Sequence, residues 1–437
     1  MNEQFLLRMQ DMLKDEYPAY LASIEKEATR GIRINPLRLS KEEFFAIMPM
    51  DVDPSPFADN GYYLKGQKHL GFTPAWAAGL FYIQEPSASS AVTIMDVQKG
   101  MRVLDMCAAP GSKSTQIAEK LANTGFLCVN EINSSRCRIL EENITRHGAA
   151  NTLVLNCDTK LIADAFPSFF DAVLCDAPCS GEGMMRKNDE AAEQWSYDLV
   201  KMCARRQKEI LENAYRALRK GGVLVYSTCT FAMEENEEVI AEFLEKHPDM
   251  VMEQPDVSFG RRAFALSHET EKAVRIFPMD HGEGHFIAKM RKLEGEQRDK
   301  KEKPSQRIPK EAVQFLNDNL TVPYPYLYSY QDVVYGSTAP FYETGNCKIR
   351  CQGVRLGAMK GKRFEPDHAL FMSAYSKCRN IAELSDEEAV RYLHGEEIRK
   401  ALPKGWYSAT WHGYALGGVH SDGKALKNKY PKSQRLR

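Results

Sequence analysis

The chain has 437 residues, of which 43% are hydrophobic and 27% are charged, and its formal net charge is −1. This length is too great for one hydrophobic core and predicts about two to four domains. The composition is ordinary for a globular protein, and it excludes a membrane protein because no apolar run approaches the roughly 20 residues that span a bilayer.

The N-terminus and the cysteines favour a reducing compartment. The first 20 residues, MNEQFLLRMQDMLKDEYPAY, are typical of an amphipathic helix and lack the features of a secretion signal. The 11 cysteines lack the spacing of a disulfide framework. Cys347 and Cys351 have no second pair at zinc-site spacing, so we interpret them as ordinary thiols and expect no metal. We therefore predict a cytoplasmic protein.

Residues 1–95 are predicted to form a separate module of mixed helices and strands. The segment GIRINPLR follows Arg30, contains two further arginines and no acid, and has Pro36 where a helix would stop.

Residues 96–291 alternate between strand-like and helix-like segments, which is typical of a parallel, doubly wound α/β sheet. The strands are almost continuously apolar, as strands buried on both faces must be. Two short segments near the end of this region suit an antiparallel hairpin at the sheet edge. The predicted strands are RVLDM, FLCVN, NTLVLN, DAVLCD, GGVLVYST, AVRIFP and GHFIAKM.

Three regions follow the α/β domain. Residues 292–306 are predicted to be a charged linker. Residues 307–370 are predicted to form a small α+β domain, and residues 371–437 a β-barrel domain. From Arg399 to Arg437 there are nine Lys or Arg residues, one acid and several aromatic residues. This composition suits RNA binding, and it suits a solvated basic tail about equally well.

The segment VLDMCAAPGSKSTQIAEKL predicts a strand, a tight turn and a helix. Gly111 allows close approach of a ligand, Pro110 sets the turn, and Ser112 can cap the helix. The loop lacks both the three-glycine dinucleotide fingerprint and the phosphate-loop pattern. An adenosine-type ligand without a diphosphate is therefore favoured.

Four acids are predicted at or just past the carboxyl ends of successive strands: Asp105, Glu131, Asp158 and Asp176. Such a row repels phosphates and suits a cationic ligand. Glu131 lies about 20 residues after the glycine turn, where a carboxylate can accept both hydroxyls of a ribose. S-adenosylmethionine, which has a sulfonium, a ribose and an amine, meets these demands.

Two cysteines are predicted to face each other across the same crevice. Cys179 follows the fourth strand of the parallel run in DAPCSGEG, and Cys229 follows the fifth in STCTF. Methylation of carbon 5 of cytosine requires a thiolate to add first to carbon 6, and a carboxyl such as Asp176 can assist at ring nitrogen 3. A lone cysteine at a strand end is more often an inert core thiol, and this is the alternative to a catalytic role for the two cysteines.

Such a thiol needs nearby positive charge to lower its pKa. We expect that charge from Lys113, Arg186 or Lys187. Chemistry alone does not decide which cysteine is the nucleophile.

Four motifs, DMCAAPGSKS, NEINSSR, DAPCSGEG and YSTCTF, resemble in order and spacing those of the Nop/Sun family of RNA 5-methylcytosine methyltransferases. The resemblance is strongest to the RsmF-type branch. The segments GIRINPLR and YIQEPSA resemble that family's N-terminal RNA-binding module, and the last 25 residues resemble its PUA-like module. The resemblance implies a Rossmann-like class I methyltransferase domain between an N-terminal RNA-binding module and C-terminal α+β and PUA-like β-barrel domains.

The resemblance also implies residue roles. Cys229 would be the nucleophile and Cys179 would assist product release, whereas DNA cytosine methyltransferases use the cysteine of a Pro-Cys pair, here Cys179. Asp176 would lie beside both cofactor and base, Glu131 would bind the ribose and Asp158 the adenine. The loop that would hold the methionine end comprises Cys107, Ala108, Ala109, Pro110, Gly111, Ser112 and Lys113.

Two further residues have alternative interpretations. Arg136, one helical turn beyond Glu131, borders the cofactor pocket or is a surface arginine. His285 stands where much of the family has an aromatic residue, and we expect it to pack on the site rather than touch the base.

We predict an S-adenosylmethionine-dependent enzyme that methylates carbon 5 of a cytidine in RNA, most simply 16S rRNA of the small ribosomal subunit, and that acts as a monomer. The alternatives are a tRNA cytosine-5 methyltransferase, a methyltransferase for an exocyclic amine or small molecule, and a catalytically silent RNA-binding assembly factor. Amine enzymes usually have a Pro-Pro-aromatic motif where this chain has DAPC, which disfavours that alternative.

Overall fold

The computed structural model describes residues 2–66, 70–304 and 307–436. Residues 305 and 306 of the predicted linker, and the terminal residues 1 and 437, lie outside this description. Within the described ranges, none of the helices combines the length and the apolar character needed to cross a bilayer.

The N-terminal module has a four-stranded antiparallel sheet in the order β2-β3-β1-β4. Its β1 is the first half of the GIRINPLR segment, and the chain turns just after it at Pro36. The elements are α1 (Glu3–Leu13), α2 (Tyr17–Ile24), β1 (Gly31–Ile34), α3 (Lys41–Ile47), β2 (Val52–Pro54), β3 (Gly61–Leu64), α4 (Pro74–Ala77), β4 (Phe81–Gln84) and α5 (Ser90–Met95).

The central domain contains each of the predicted strands. Its elements are β5 (Arg102–Asp105), α6 (Ser112–Leu121), β6 (Phe126–Asn130), α7 (Ser134–His147), β7 (Thr152–Leu155), α8 (Thr159–Ala165), β8 (Phe170–Asp176), α9 (Asp189–Gln194), α10 (Tyr197–Ala217), β9 (Leu218–Thr228), α11 (Glu237–Lys246), β10 (Met250–Glu253), β11 (Arg261–Arg262), β12 (Val274–Ile276) and β13 (His285–Lys292).

The central sheet has a parallel run in the order β9-β8-β5-β6-β7, with β13, β12 and β11 following antiparallel beyond β9. The direction of winding reverses between β5 and β8. In a doubly wound sheet, ligands bind at such a reversal, at the carboxyl ends of the strands. The predicted class I methyltransferase fold, with an edge hairpin of β12 and β13, is therefore present.

The C-terminal region contains two more four-stranded sheets, in the orders β14-β15-β17-β18 and β19-β20-β21-β22. Its elements are α12 (Lys310–Asn319), β14 (Tyr326–Tyr330), β15 (Val333–Ser337), β16 (Ile349–Gln352), β17 (Val354–Lys360), β18 (Arg363–Pro366), α13 (His368–Met372), β19 (Ile381–Glu383), α14 (Asp386–Leu393), β20 (Gly405–Trp411), β21 (Tyr414–Ser421) and β22 (Leu426–Asn428).

The structure differs from the predicted division of the chain in the region after β13. Strand β16, predicted to belong to a separate domain of residues 307–370, pairs antiparallel with β7 and completes the central sheet. The charged linker is also not free of the domain, because the Arg298 amide donates to the Ser168 carbonyl at 2.9 Å. Unpaired backbone groups at the β7 edge need a partner, and β16 supplies one.

Apolar clusters cover both faces of the central sheet. Leu104 and Tyr226 lie in the cluster on one face, and Val103 and Val225 in the cluster on the other. A third cluster joins the N-terminal module to the last domain, since Phe44 and Phe81 share it with Tyr392 and Trp411. The N-terminal module and the C-terminal domain are thus packed together.

Arg33 of β1 fastens the N-terminal sheet to helix α6. Its side chain is buried, its Nε lies 2.9 Å from the Glu119 carboxylate, and its Nη2 donates to Thr115 Oγ1 at 2.7 Å. A buried charge without a partner is costly, so each member of this pair depends on the other.

We expect Arg33→Ala to lower the free energy of unfolding by about 3–5 kcal/mol, because it leaves the Glu119 carboxylate buried and unpaired. The measurement is urea denaturation followed by fluorescence. The matched control is Lys160→Ala, which breaks the exposed pair with Asp164 and should leave the transition unchanged. Equal losses in both variants would contradict a structural role for the buried pair.

Candidate active site

A cavity of about 720 Å³ lies at the carboxyl ends of the parallel strands. This volume falls within the range of about 300–1,000 Å³ that is usual for ligand sites. Eight of the residues predicted for the site line it: Cys107, Ala109, Glu131, Arg136, Asp158, Asp176, Cys179 and Cys229.

The glycine loop connects β5 to α6 beside this cavity. Gly111 has φ of +112°, in the left-handed region that side chains disfavour, and a Cβ there would lie 3.2 Å from Leu140 Cδ1. The Ala108 amide donates to the Asn130 carbonyl at 2.7 Å, and Asn143 Nδ2 donates to the Pro110 carbonyl at 2.6 Å. The loop is therefore held in place before any ligand binds.

Only part of this loop faces the cavity. Cys107 and Ala109 line it, whereas the Ser112 hydroxyl donates to Gln84 of β4. Ser112 is the first residue of α6, and Gly111, not Ser112, occupies its N-cap position. The predicted side-chain cap by Ser112 is therefore wrong, because that hydroxyl is engaged with the N-terminal module.

Glu131 and Arg136 form one wall of the cavity. The Glu131 carboxylate accepts from the Asn133 amide at 2.8 Å and lies 3.2 Å from Arg136 Nη1. Arg136 Nη2 also donates to the Ala109 carbonyl at 2.8 Å. Arg136 thus connects Glu131 to the glycine loop. Of the two alternatives, a residue that borders the cavity and a surface arginine, the structure agrees with the first.

Two more predicted acids lie at strand ends in different settings. Asp158 lines the cavity and caps α8 by accepting from the Lys160 amide at 2.8 Å. Asp105 is fully buried and accepts from Ser114 Oγ at 2.6 Å. Burial raises the pKa of Asp105 to about 7, and the nearby Asp176 carboxylate adds to the shift.

Asp176 is held by two partners at the centre of the site. Ser227 Oγ donates to its Oδ1 at 2.7 Å, and Lys113 Nζ lies 2.9 Å from its Oδ2. Burial alone would lower the pKa of Lys113, but the Asp176 carboxylate outweighs burial and raises that pKa above its usual value. Lys113 therefore stays charged beside Asp176.

Cys179 and Cys229 meet as predicted, with 3.4 Å between their sulfur atoms. Both side chains are partly exposed. The hydrogen bond to the Cys229 sulfur, and next to it burial, raises the pKa of the Cys179 thiol well above its usual value. The raised pKa favours the protonated form of Cys179, whose sulfur lies within hydrogen-bond distance of the Cys229 sulfur.

The three cations proposed to act on the thiols are separated in the structure. Lys113 interacts electrostatically with the Cys229 sulfur. Arg186 pairs instead with Glu283, and Lys187 donates to the Thr29 carbonyl at 2.7 Å. Of the three, Lys113 is the cation placed at the cysteines.

Glu182 is a site residue that the sequence reasoning missed. It is buried, and its carboxylate accepts from the Phe231 amide, the Thr230 hydroxyl and the Trp195 indole, each at 2.9 Å. In the same contact region the Gly183 amide donates to the Cys229 carbonyl at 2.9 Å. These bonds join the segment after Cys179 to the segment after Cys229.

Glu235 ties the same two segments from the other side. Its carboxylate accepts from the Ser180 amide at 3.0 Å and from Gln207 Nε2 at 2.7 Å. Burial raises the pKa of Glu235 to about 7. The sequence signal for both residues was their place in SGEG and MEEN next to the cysteine motifs, but acids beside a turn are too common to stand out.

His285 is buried and packs on the site, as expected. Its Nδ1 lies 3.1 Å from Ser87 Oγ and 3.8 Å from the Glu85 carboxylate. Burial, followed by the charges of Lys113 and Lys187, lowers the pKa of His285 well below its usual value. His285 is therefore a neutral packing residue.

Comparison with known proteins agrees with this geometry. Residues 92–291 match the family model of 16S rRNA methyltransferase RsmB/F, residues 1–86 that of the N-terminal domain of 16S rRNA methyltransferase RsmF, and residues 379–436 that of the methyltransferase RsmF PUA domain. Ribosomal RNA small subunit methyltransferase F of Shewanella piezotolerans is 32% identical, covering 99% of this chain and 96% of the relative. This chain belongs to the RsmF family.

Other RsmF-family relatives and solved structures extend the comparison. Ribosomal RNA small subunit methyltransferase F of Enterobacter sp. is 31% identical over 98% of this chain and 95% of the relative. A methyltransferase homolog from Pyrococcus horikoshii is 30% identical with a TM-score of 0.60, covering 67% of this chain and 96% of that one. NSun6 from Pyrococcus horikoshii with SFG, 22% identical with a TM-score of 0.61 over 67% and 99% of the two chains, shares the fold. The predicted family is confirmed.

We expect Glu182→Ala to slow methyl transfer by roughly 10- to 100-fold, because a small displacement of a catalytic group is enough to cost that much. Affinity for S-adenosylhomocysteine should change less than twofold, since Glu182 does not line the cavity. The measurements are single-turnover kinetics and calorimetry.

The matched control for that variant is Glu190→Ala, which removes a carboxylate that accepts from Gln194 on the surface of α9. An equal loss of cofactor affinity and rate in Glu182→Ala would contradict its role in joining the cysteine segments.

Proposed function

We propose that this member of the RsmF family is an S-adenosylmethionine-dependent methyltransferase that modifies carbon 5 of a cytidine in 16S rRNA of the small ribosomal subunit. The observation that carries the proposal is the pair of sulfur atoms 3.4 Å apart beside Asp176, at the mouth of the cavity. Family membership supports the ribosomal RNA substrate.

The residues of the cavity fit S-adenosylmethionine. Four carboxylates, those of Glu131, Asp158, Asp176 and Glu209, line the cavity with two arginines, Arg136 and Arg206, and the charge of Arg136 is already paired with Glu131. This excess of acid suits a cation with ribose hydroxyls and does not suit a diphosphate. When bound, the cofactor supplies an electrophilic methyl group.

In this proposal Glu131 binds the ribose, Asp158 the adenine end, and Cys107 and Ala109 the methionine end. Asp176 lies between this pocket and the cysteines, where its carboxyl can hydrogen-bond to the base at ring nitrogen 3 or to the exocyclic amine. Its bonds to Ser227 and Lys113 fix its orientation.

The covalent chemistry is assigned to Cys229. Its thiolate forms a bond to carbon 6 of the cytosine, and the electron pair of the double bond between carbons 5 and 6 makes carbon 5 nucleophilic. After carbon 5 has taken the methyl group, a base removes its proton. The electron pair re-forms the double bond, the bond between sulfur and carbon 6 breaks, and the thiolate of Cys229 is restored.

The position of Lys113 and the distance between the two thiols support this assignment over the reverse one. The two sulfur atoms are 3.4 Å apart, so a protonated Cys179 would donate a hydrogen bond to a thiolate at Cys229 and stabilise it. Lys113 adds positive charge at the same sulfur. Cys179 is then placed to assist the release of the product.

The N-terminal module and the PUA-like domain are proposed to bind the RNA on either side of this site. The prediction that the chain acts as a monomer in the cytoplasm is part of the proposal.

We expect Cys229→Ala to abolish methyl transfer to small-subunit rRNA while S-adenosylhomocysteine binds with nearly unchanged affinity. The measurements are transfer of tritiated methyl groups and calorimetry. Cys351→Ala is the matched control, since this half-buried thiol donates to the Gly353 carbonyl away from the site. Turnover by Cys229→Ala would overturn the nucleophile assignment.

We expect Cys179→Ala to accumulate a covalent enzyme–RNA adduct, because release is slowed while addition by Cys229 still occurs. The adduct is seen as a slowly migrating band on a denaturing gel and should vanish in the double variant with Cys229→Ala. A clean lane for the single variant would count against the release role.

The experiment that decides the function is capture of the enzyme by RNA that contains 5-azacytidine, followed by mass spectrometry. A crosslink at Cys229 would support cytosine-5 methylation. A crosslink at Cys179 would reverse the two roles, and methylation of an amine without a crosslink would overturn the proposed reaction. Bisulfite sequencing of rRNA from a deletion strain identifies the modified cytidine.

A further inference from the structure

A second cavity of about 650 Å³ lies beside the catalytic site, between the N-terminal module and the segment after Cys179. The N-terminal module contributes Arg30, Ile83 and the exposed ring of Phe72, and the catalytic domain contributes Arg186 and Lys187. We call this cavity the flanking groove.

The flanking groove lies next to residues that support the catalytic site. Gln84 lines the groove and accepts a hydrogen bond from Ser112 at the end of the glycine loop. Glu85 also lines the groove, and its carboxylate lies 3.8 Å from His285 Nδ1. Burial and the charge of Lys113 lower the pKa of His285. The groove is therefore adjacent to the glycine loop and to His285.

Phe72 presents an exposed aromatic ring in the flanking groove. Its side chain is 66% exposed, although Phe is among the residues most often buried. Its backbone has φ of +64°, which is a rare conformation for a bulky residue and one that often occurs at functional positions. One side of the ring is supported by Trp76, with 5.2 Å between centroids.

A second apolar residue lies near Phe72 in the groove. Ile83 is 39% exposed, and a Cβ on Gly71 would lie 4.0 Å from its Cδ1. The segment that carries Phe72 thus lies against Ile83. A flat apolar molecule could contact both side chains.

Three cations line the groove, Arg30, Arg186 and Lys187, and the last two share one carboxylate, since Glu283 pairs with Arg186 and lies 3.7 Å from Lys187 Nζ. Arg30 is exposed, and Lys187 uses its ammonium to donate to the Thr29 carbonyl. Burial, opposed by Glu85 and Glu283, lowers the pKa of Lys187, and the charges of Arg186 and Arg30 lower it further. An anion bound beside Arg30 and Lys187 would relieve this repulsion.

We propose that the flanking groove binds a nucleotide of single-stranded RNA next to the target cytidine, with its base stacked on Phe72 and its phosphate beside Arg30 and Lys187. The combination of an exposed aromatic ring and cations is what unpaired RNA requires. This inference rests on the proposed function and specifies how that site would read its substrate.

The test measures RNA binding to the full chain with S-adenosylhomocysteine present, with a substitution in the protein and a change in the RNA made singly and together. The probes are a short single-stranded RNA with one cytidine and a series in which each flanking base in turn is replaced by an abasic residue. Fluorescence anisotropy should show roughly tenfold weaker binding for Phe72→Ala, no loss for Phe72→Trp, and a similar loss for wild type with one abasic position. When Phe72→Ala binds the RNA that is abasic at that position, the loss of affinity should be no larger than the loss from either change alone.

The matched control is Tyr330→Ala, which removes a ring that is 59% exposed on β14, away from the groove. It should bind each RNA as wild type does. Arg30→Ala should weaken all RNAs uniformly and reduce the slope of log affinity against log salt by about 0.7.

Three outcomes would overturn the proposal that the flanking groove binds a nucleotide. Phe72→Ala could bind RNA like wild type, no abasic position could weaken binding by wild type, or the losses from Phe72→Ala and from the abasic residue could add at each position. Binding is measured without turnover, so a wild-type chain that passes this test but forms no adduct with 5-azacytidine RNA would refute the proposed reaction and leave the groove supported.

Discussion

The parallel pairing of β8 with β9 is the constraint on which the site depends. In this register Asp176 lies opposite Ser227, so the loops that carry Cys179 and Cys229 leave the sheet side by side. Their sulfur atoms come within 3.4 Å although the residues are 50 positions apart in the chain. A one-residue slip would turn each side chain on one of the strands to the other face and would separate the thiols.

Buried carboxylates then hold the two loops together. Glu182, which follows Cys179, accepts from Phe231 of the Cys229 segment, and Glu235, which follows Cys229, accepts from Ser180 of the Cys179 segment; both carboxylates are almost fully enclosed. Burying a carboxylate is costly unless its bonds are made, so this network permits few alternative arrangements of the loops. The N-terminal module supports it from outside, because Tyr20 packs edge-on against Phe231, with 6.0 Å between centroids. That module therefore supports the loop that carries Cys229 as well as the proposed RNA site.

The C-terminal region is joined to the rest in two ways that affect how its role is studied. Strand β16 completes the central sheet, and the last domain shares an apolar cluster with the N-terminal module. Removing the chain after β13 would expose the edge of β7 and an apolar surface. Its contribution to RNA binding is therefore better measured by single substitutions than by truncation.

Local patterns in the sequence were enough to predict the strands of the central sheet, the glycine loop, the strand-end acids and the meeting of Cys179 with Cys229, because each depends on a short motif at a strand end. The same patterns placed β16 in the wrong domain and predicted the wrong cap for α6, and they did not indicate the contacts of Glu182 and Glu235. Those features depend on which distant backbone edges and buried donors meet, and only the tertiary structure brings them together. The exposure of the Phe72 ring is likewise visible only in the tertiary structure, since exposure is a property of the folded surface and not of the residue.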